Sequence, residues 1–186
     1  MKLTTTLCCA LAAAGCLQAQ SKTPQGLTPQ PNQTDSALTA QTRKIFQTAT
    51  DNILKSAREM PESSYGFRPV DGVRTFGELI AHIANVQSTL CGNINGHPAH
   101  KATAPASKDN VIKDLGSSSQ ECETAFDELS AQNVSIPVDT AAGRLTHMGA
   151  LLYIITHASE EYGQLAIYLR LNHLTPPTSD QPKTTL

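Results

Sequence analysis

In the stretch THASEEYGQ (Thr156–Gln164), His157 and Glu161 stand four residues apart. On an α-helix that spacing puts both side chains on one face, one turn from each other. An imidazole and a carboxylate held this way are either two ligands for a divalent metal or a polar stripe on an otherwise apolar helix. They share their face with Ile154, Leu165 and Tyr168. The carboxylate therefore points inward, where a cation or a proton must offset its burial. A second inward imidazole is His82 in ELIAHIANV, which lies on the stripe of Leu79, Val86 and Leu90. Two histidines and one glutamate form an open ligand set that leaves a coordination position for water or substrate. The same residues have a plainer reading, with His82 a core histidine whose hydrogen bonds are satisfied and Glu161 facing solvent or accepting from His157. His97 and His100 fall in a Gly/Pro loop, and His147 and His173 near the ends of the last helical segment, so these four read as exposed or partly exposed. No nucleophile elbow, P-loop, dinucleotide fingerprint or CxxC pair points to another chemistry.

Four segments of helical periodicity are available to position these groups. The first is expected from about Asp35 to Glu59, with Leu38, Ile45, Ile53 and Leu54 as its apolar stripe. Pro61, Gly66 and Pro69 end it. The second runs from about Thr75 to Asn93, with Thr75 and Glu78 as a capping box and Leu79, Ile83, Val86 and Leu90 facing the core. The third spans about Lys108–Ser130 on Val111, Ile112, Leu115, Phe126 and Leu129, weakened in its middle by Gly116 and three serines. The fourth is expected over Ala142–Leu171, along Leu145, Met148, Leu152, Ile155, Tyr162, Leu165 and Leu169, and is stopped by Pro176 and Pro177. Strand signals are confined to a short extended connection, NVSIPV (Asn133–Val138). The pattern is that of an all-α protein, a four-helix bundle, whose core is a common place for a metal.

With 186 residues the chain is long enough for one ordinary domain with tails. Its net charge is −2, and its basic residues are scattered, which gives none of the footprint that nucleic-acid binding needs. The first nineteen residues read as an export signal: Lys2, an apolar stretch too short to span a bilayer, then small residues with a cut after Ala19. AAAGC offers another reading, a lipobox with Cys16 as a lipid-anchored first residue, although Ala13 stands where leucine is usual. Either way the mature protein is expected outside the cytoplasm, periplasmic or secreted in the first case and a membrane-anchored lipoprotein in the second. Residues 20–34, polar and proline-containing, read as a flexible linker, 35–174 as the domain, and 175–186 as a frayed tail. Loss of the leader leaves Cys91 and Cys122, a disulfide candidate in an oxidising compartment or else two buried thiols.

The segments YGFRP, FGELIAHIANVQSTLC and HASEEYGQLAIYLRLNHLTPP resemble the DinB-like family of metal-binding four-helix bundles, the damage-inducible family rather than the polymerase of that name. The resemblance covers most of Leu38–Pro177. It implies three histidines around a divalent metal such as zinc, nickel or manganese, one on the second helix and two in a pattern like H-x-x-x-H-Y-G-Q on the last. His82 and His157 match the first two, and Glu161 occupies the third position. Glutamate there implies either a site that favours harder metals or a member that has lost its metal. Glu78 and Glu160 are candidates for orienting an imidazole. The resemblance also implies a bridge between Cys91 and Cys122, pairing into a homodimer, and hydrolysis or group transfer on a small molecule. The competing expectation is a non-catalytic envelope module for binding or dimerisation.

Overall fold

The computed structural model describes residues 31–97, 99 and 107–179. Its four helices are α1 (Pro31–Glu59), α2 (Phe76–Asn95), α3 (Lys108–Asp127) and α4 (His147–Leu171). A hairpin of β1 (Pro137–Thr140) and β2 (Gly143–Thr146) joins α3 to α4. The all-α four-helix bundle is thus the observed architecture, with α2 and α3 as the most extensive pair and α1 packed on both α3 and α4. No described helix is long and apolar enough to cross a membrane. The expected leader, including Cys16, lies outside the described residues, as does His100.

Helix α2 starts as its sequence requires. The Thr75 backbone N–H donates to Glu78 Oε2 at 2.7 Å, and the Glu78 N–H donates to Thr75 Oγ1 at 3.2 Å, which pairs two otherwise orphaned donors. It stops at Gly96, whose φ of 72° is a left-handed conformation that glycine adopts without strain. Leu79, Ile83 and Leu90 are buried along it. Helix α1 departs from expectation. Ile53 is buried, but Leu38 and Ile45 are each 56% exposed, and the core face runs instead through Thr42, Phe46, Thr50, Ile53, Ala57 and Met60. Spacings of three and four satisfy both stripes. Phe46 decides between them, because it packs on Phe126 with ring centroids 5.5 Å apart and brings Thr42 and Thr50 inward with it. The Thr42 hydroxyl then donates to the Leu38 carbonyl at 2.8 Å.

Helix α3 is better anchored than its composition indicates, and it ends at Asp127 rather than Ser130. Ser118 and Ser119 are buried, with their hydroxyls 2.9 and 3.1 Å from Gln87 Oε1 on α2. Arg43 of α1 pairs with Glu123 and Asp127 of α3. Lys108 Nζ donates to the carbonyls of Arg58, in the last turn of α1 (2.6 Å), and of Met60, just beyond it (2.7 Å). Cys91 and Cys122 form a disulfide between α2 and α3, with their Cα atoms 4.9 Å apart.

The start of α4 is a correction. Residues 142–146 belong to the hairpin, with Val138 opposite Leu145 and Asp139 opposite Arg144. Gly143 takes φ 103°, which lets the chain reverse after Ala142, and Thr140 Oγ1 donates to the Gly143 carbonyl at 2.7 Å. Thr146 then caps α4, its Oγ1 accepting from the Gly149 N–H at 3.1 Å. Both ends of the domain extend further than expected. Helix α1 begins at Pro31, inside the expected linker. The tail is likewise corrected over Thr175–Ser179: Pro176 and Pro177 are buried, and a 3-10 turn over Pro177–Ser179 packs on α1. The Tyr162 hydroxyl secures that turn, donating to Thr178 Oγ1 at 2.9 Å and accepting from the Thr178 N–H at 3.0 Å.

Two apolar clusters fill the bundle. One includes Ile53, Phe76, Leu79, Ile83, Ala158 and Leu165, and the other Phe46, Leu90, the disulfide, Phe126, Leu151 and Ile154. Along α4 the passage from Ile154 to Ala158 and Leu165 crosses from one cluster to the other, and His157 and Glu161 lie in that interval.

Candidate metal centre

Helix α2 contributes His82 to this interval, and α4 contributes His157 and Glu161. The residues 8% and 7% exposed are His157 and Glu161, whereas the His82 side chain retains 27% of its exposure. The site is closed toward the bundle interior and open at the His82 edge. The two imidazole Nε2 atoms are 3.1 Å apart. Glu161 Oε1 lies 3.4 Å from His157 Nε2 and 3.5 Å from His82 Nε2. Among the described residues this is the group of three metal-ligating side chains that the fold gathers.

The triangle fits a metal. With ligand bonds of about 2.0–2.2 Å in a tetrahedral arrangement, donor atoms stand about 3.3–3.6 Å apart, and cis donors of an octahedral site about 3 Å apart. The observed edges of 3.1, 3.4 and 3.5 Å lie in that range. The donor set is chemically suitable as well, since two neutral imidazoles and one carboxylate bind first-row divalent ions.

Protonation follows from burial. Desolvation, the positive Arg74 and the neighbouring His157 push the His82 imidazole down to about 4 from its ordinary 6.5. His157 is lowered by burial first and by Arg74 second. Both rings are therefore neutral and have a lone pair available at neutral pH. Glu161 is raised by burial, an effect that Glu160 reinforces and Arg74 opposes. A neutral pair shares one proton along the Nε2–Nε2 line. Ligation through Nε2 would instead place the His157 proton on Nδ1, which is buried with no partner.

Several expected partners are elsewhere. Glu78 closes the capping box and faces Arg68 at 3.6 Å, so it does not orient His82. Glu160 is exposed and reaches Glu161 only through its charge. His97 and His173 are exposed and His147 is partly so, and none joins the cluster. Two residues near the site carry no assignment in the sequence reading. Gln164 Nε2 donates to Glu161 Oε2 at 2.7 Å. Its i, i+3 spacing from Glu161 within EYGQ was the available signal. The Tyr168 hydroxyl donates to the Arg74 carbonyl at 2.6 Å, which ties the entry of α2 to α4 and sets the exposed Arg74 beside the site. That contact is long-range and has no sequence signature.

Comparison with known proteins agrees with this architecture. A DinB-like protein from Bacillus cereus superposes with a TM-score of 0.59 at 15% identity, covering 72% of this chain and 93% of that one. A DinB family member from Exiguobacterium sibiricum gives 0.53 at 19% identity, covering 74% and 91%. A mycothiol-dependent maleylpyruvate isomerase gives 0.55 at 18% identity, covering 69% of this chain and 59% of its own. At these identities the likeness is one of fold. Among curated proteins none matches the sequence. Residues 45–165 match the family model of the DinB superfamily, about two-thirds of the chain, and the protein belongs to that superfamily.

Proposed function

We propose that this protein is an exported metal-dependent member of the superfamily that holds one divalent first-row ion on His82 Nε2, His157 Nε2 and Glu161 Oε1. Its action on a small molecule would be hydrolysis or group transfer. The observation that carries the reading is the donor triangle of 3.1, 3.4 and 3.5 Å, built from two elements distant in sequence. When bound, the ion would supply Lewis acidity toward a substrate oxygen and lower the pKa of water. The chain's own residues do the rest. Leu79 and Ile83 on α2 and Ile154 and Ala158 on α4 are buried on the two helices that carry the donors, while the exposed edge of His82 marks the side from which a small molecule would approach. Burial keeps both imidazoles unprotonated, so they need not lose a proton to bind. Glu161 in place of a third histidine makes the site less positive and favours a harder metal such as manganese over softer ones.

Location outside the cytoplasm is part of the proposal and is supported by the Cys91–Cys122 bridge, since such bridges persist in oxidising compartments. The mycothiol-dependent isomerase among the structural neighbours makes thiol-dependent transfer the second reading. It is set lower because low-molecular-weight thiol cofactors belong to the cytoplasm. The test is the metal content of protein purified without a histidine tag, beside His82→Ala. A divalent first-row metal is expected in the parent and absent from the variant. If the parent holds none, and zinc, nickel and manganese each leave its melting temperature unchanged, the chain is a non-catalytic binding or dimerisation module and the metal reading falls.

A further inference from the structure

A carboxylate can bind a metal through one oxygen or through both, and the choice sets how many coordination positions remain open. In this fold the two oxygens of Glu161 are already distinguished. Oε1 faces both imidazoles at 3.4 and 3.5 Å. Oε2 accepts the Gln164 side-chain amide at 2.7 Å, at the short end of N–H···O hydrogen bonds, as expected when the acceptor is charged. We infer that Gln164 is a positioning residue that holds Glu161 as a one-oxygen metal ligand and so preserves an open coordination position for a small-molecule oxygen donor. The inference rests on the metal reading above.

The surroundings support the assignment. Gln164 lies three residues after Glu161 on α4, on the same side of the helix. It is exposed, and this is its hydrogen bond from the side-chain amide. Holding a long surface side chain in one rotamer costs entropy, which a charge-assisted hydrogen bond to a buried carboxylate offsets better than contact with water. The neighbours are engaged elsewhere. Tyr162 points to Thr178, and Ser159 donates to the Ile155 carbonyl at 2.9 Å, so neither replaces the amide at Oε2. With the donor gone, Oε2 is free to turn toward the ion. Two-oxygen ligation would then fill the position that a substrate needs.

The test compares the full-length protein with Gln164→Met, which keeps the length and removes the donor, and with Ser159→Ala as a control on the same helix. Cobalt(II) serves as the probe. Affinity is read by chelator competition, and coordination by visible absorption, whose intensity falls as the coordination number rises. Gln164→Met is expected to fold as judged by circular dichroism, to retain cobalt(II) binding, and to show weaker bands, the mark of the added carboxylate oxygen. Ser159→Ala is expected to match the parent in both. A parent that binds while Gln164→Met matches its spectrum overturns the inference and leaves the metal reading standing. A parent that does not bind cobalt(II), zinc, nickel or manganese overturns both.

Discussion

Glu161→Gln separates a metal-binding carboxylate from an incidental one, because the structure assigns it opposite effects in the metal-free and metal-loaded protein. Without metal, Glu161 is 7% exposed, with Gln164 as its donor and two neutral imidazoles beside Oε1. Burial raises its pKa, so ionisation costs stability. That cost is absent below the unfolded value of 4.5 and grows as pH rises through the folded value, because a raised pKa favours the protonated form in the fold. A neutral amide avoids it and can donate to an imidazole nitrogen. The metal-free variant should therefore exceed the parent by about 1 kcal/mol at pH 7, the scale of one imperfectly satisfied buried polar group, with the difference shrinking toward pH 4. With metal at a hundredfold excess over its dissociation constant, the parent gains about 2.7 kcal/mol. For a domain of this size that is about 5–11 °C in melting temperature. The variant, lacking the anionic donor, should show little of this gain. Scanning calorimetry with EDTA and with manganese or zinc would thus show the order of stabilities reversing. A variant less stable than the parent in EDTA at pH 7, yet shifted equally by metal, would refute both the burial argument and the ligand assignment.

Other consequences concern the scaffold. Cys91 and Cys122 are 31 residues apart. Closing a loop of that length restricts the unfolded chain by on the order of 3–4 kcal/mol, so Cys91→Ser/Cys122→Ser should melt about 10 °C lower. Alkylation before and after reduction should give different masses for the parent, and two free thiols in protein recovered from outside the cytoplasm would contradict the bridge. The Tyr65 hydroxyl donates to the Ala57 carbonyl at 2.6 Å, and burial pushes its pKa up. Tyr65→Phe should cost about 1–2 kcal/mol in urea unfolding and leave metal content unchanged. Equal midpoints for the two proteins would show that the bond contributes nothing.

How far the site was legible depended on whether its contacts lie within one helix. The His157 and Glu161 pairing needed only the helical repeat, and Thr75–Glu78 only the rules of helix ends. His82 was legible as an inward histidine by its place among Leu79, Val86 and Leu90. Its meeting with His157 at 3.1 Å is a contact between residues 75 apart in the chain. The face of α1 was misjudged because hydrophobicity favoured Leu38 and Ile45, whereas the Phe46 ring contact with Phe126 turned the helix. The hairpin before α4 was missed because Leu145 and Met148 extend a helical repeat, while Gly143 and Thr146 determine the turn and the cap.

By itself, then, the sequence determined the quantities that depend on neighbours along the chain: four helical segments, the capping box of α2, a shared face for His157 and Glu161, and the place of His82 on an apolar stripe. The tertiary structure decided what depends on distance between elements. It closed the donor triangle across α2 and α4, tied Tyr168 to the Arg74 carbonyl at the entry of α2, and buried Pro176 and Pro177 against the bundle. Periodicity specifies only the direction in which a side chain leaves its helix. How far it then lies from a partner is set by the packing of whole helices.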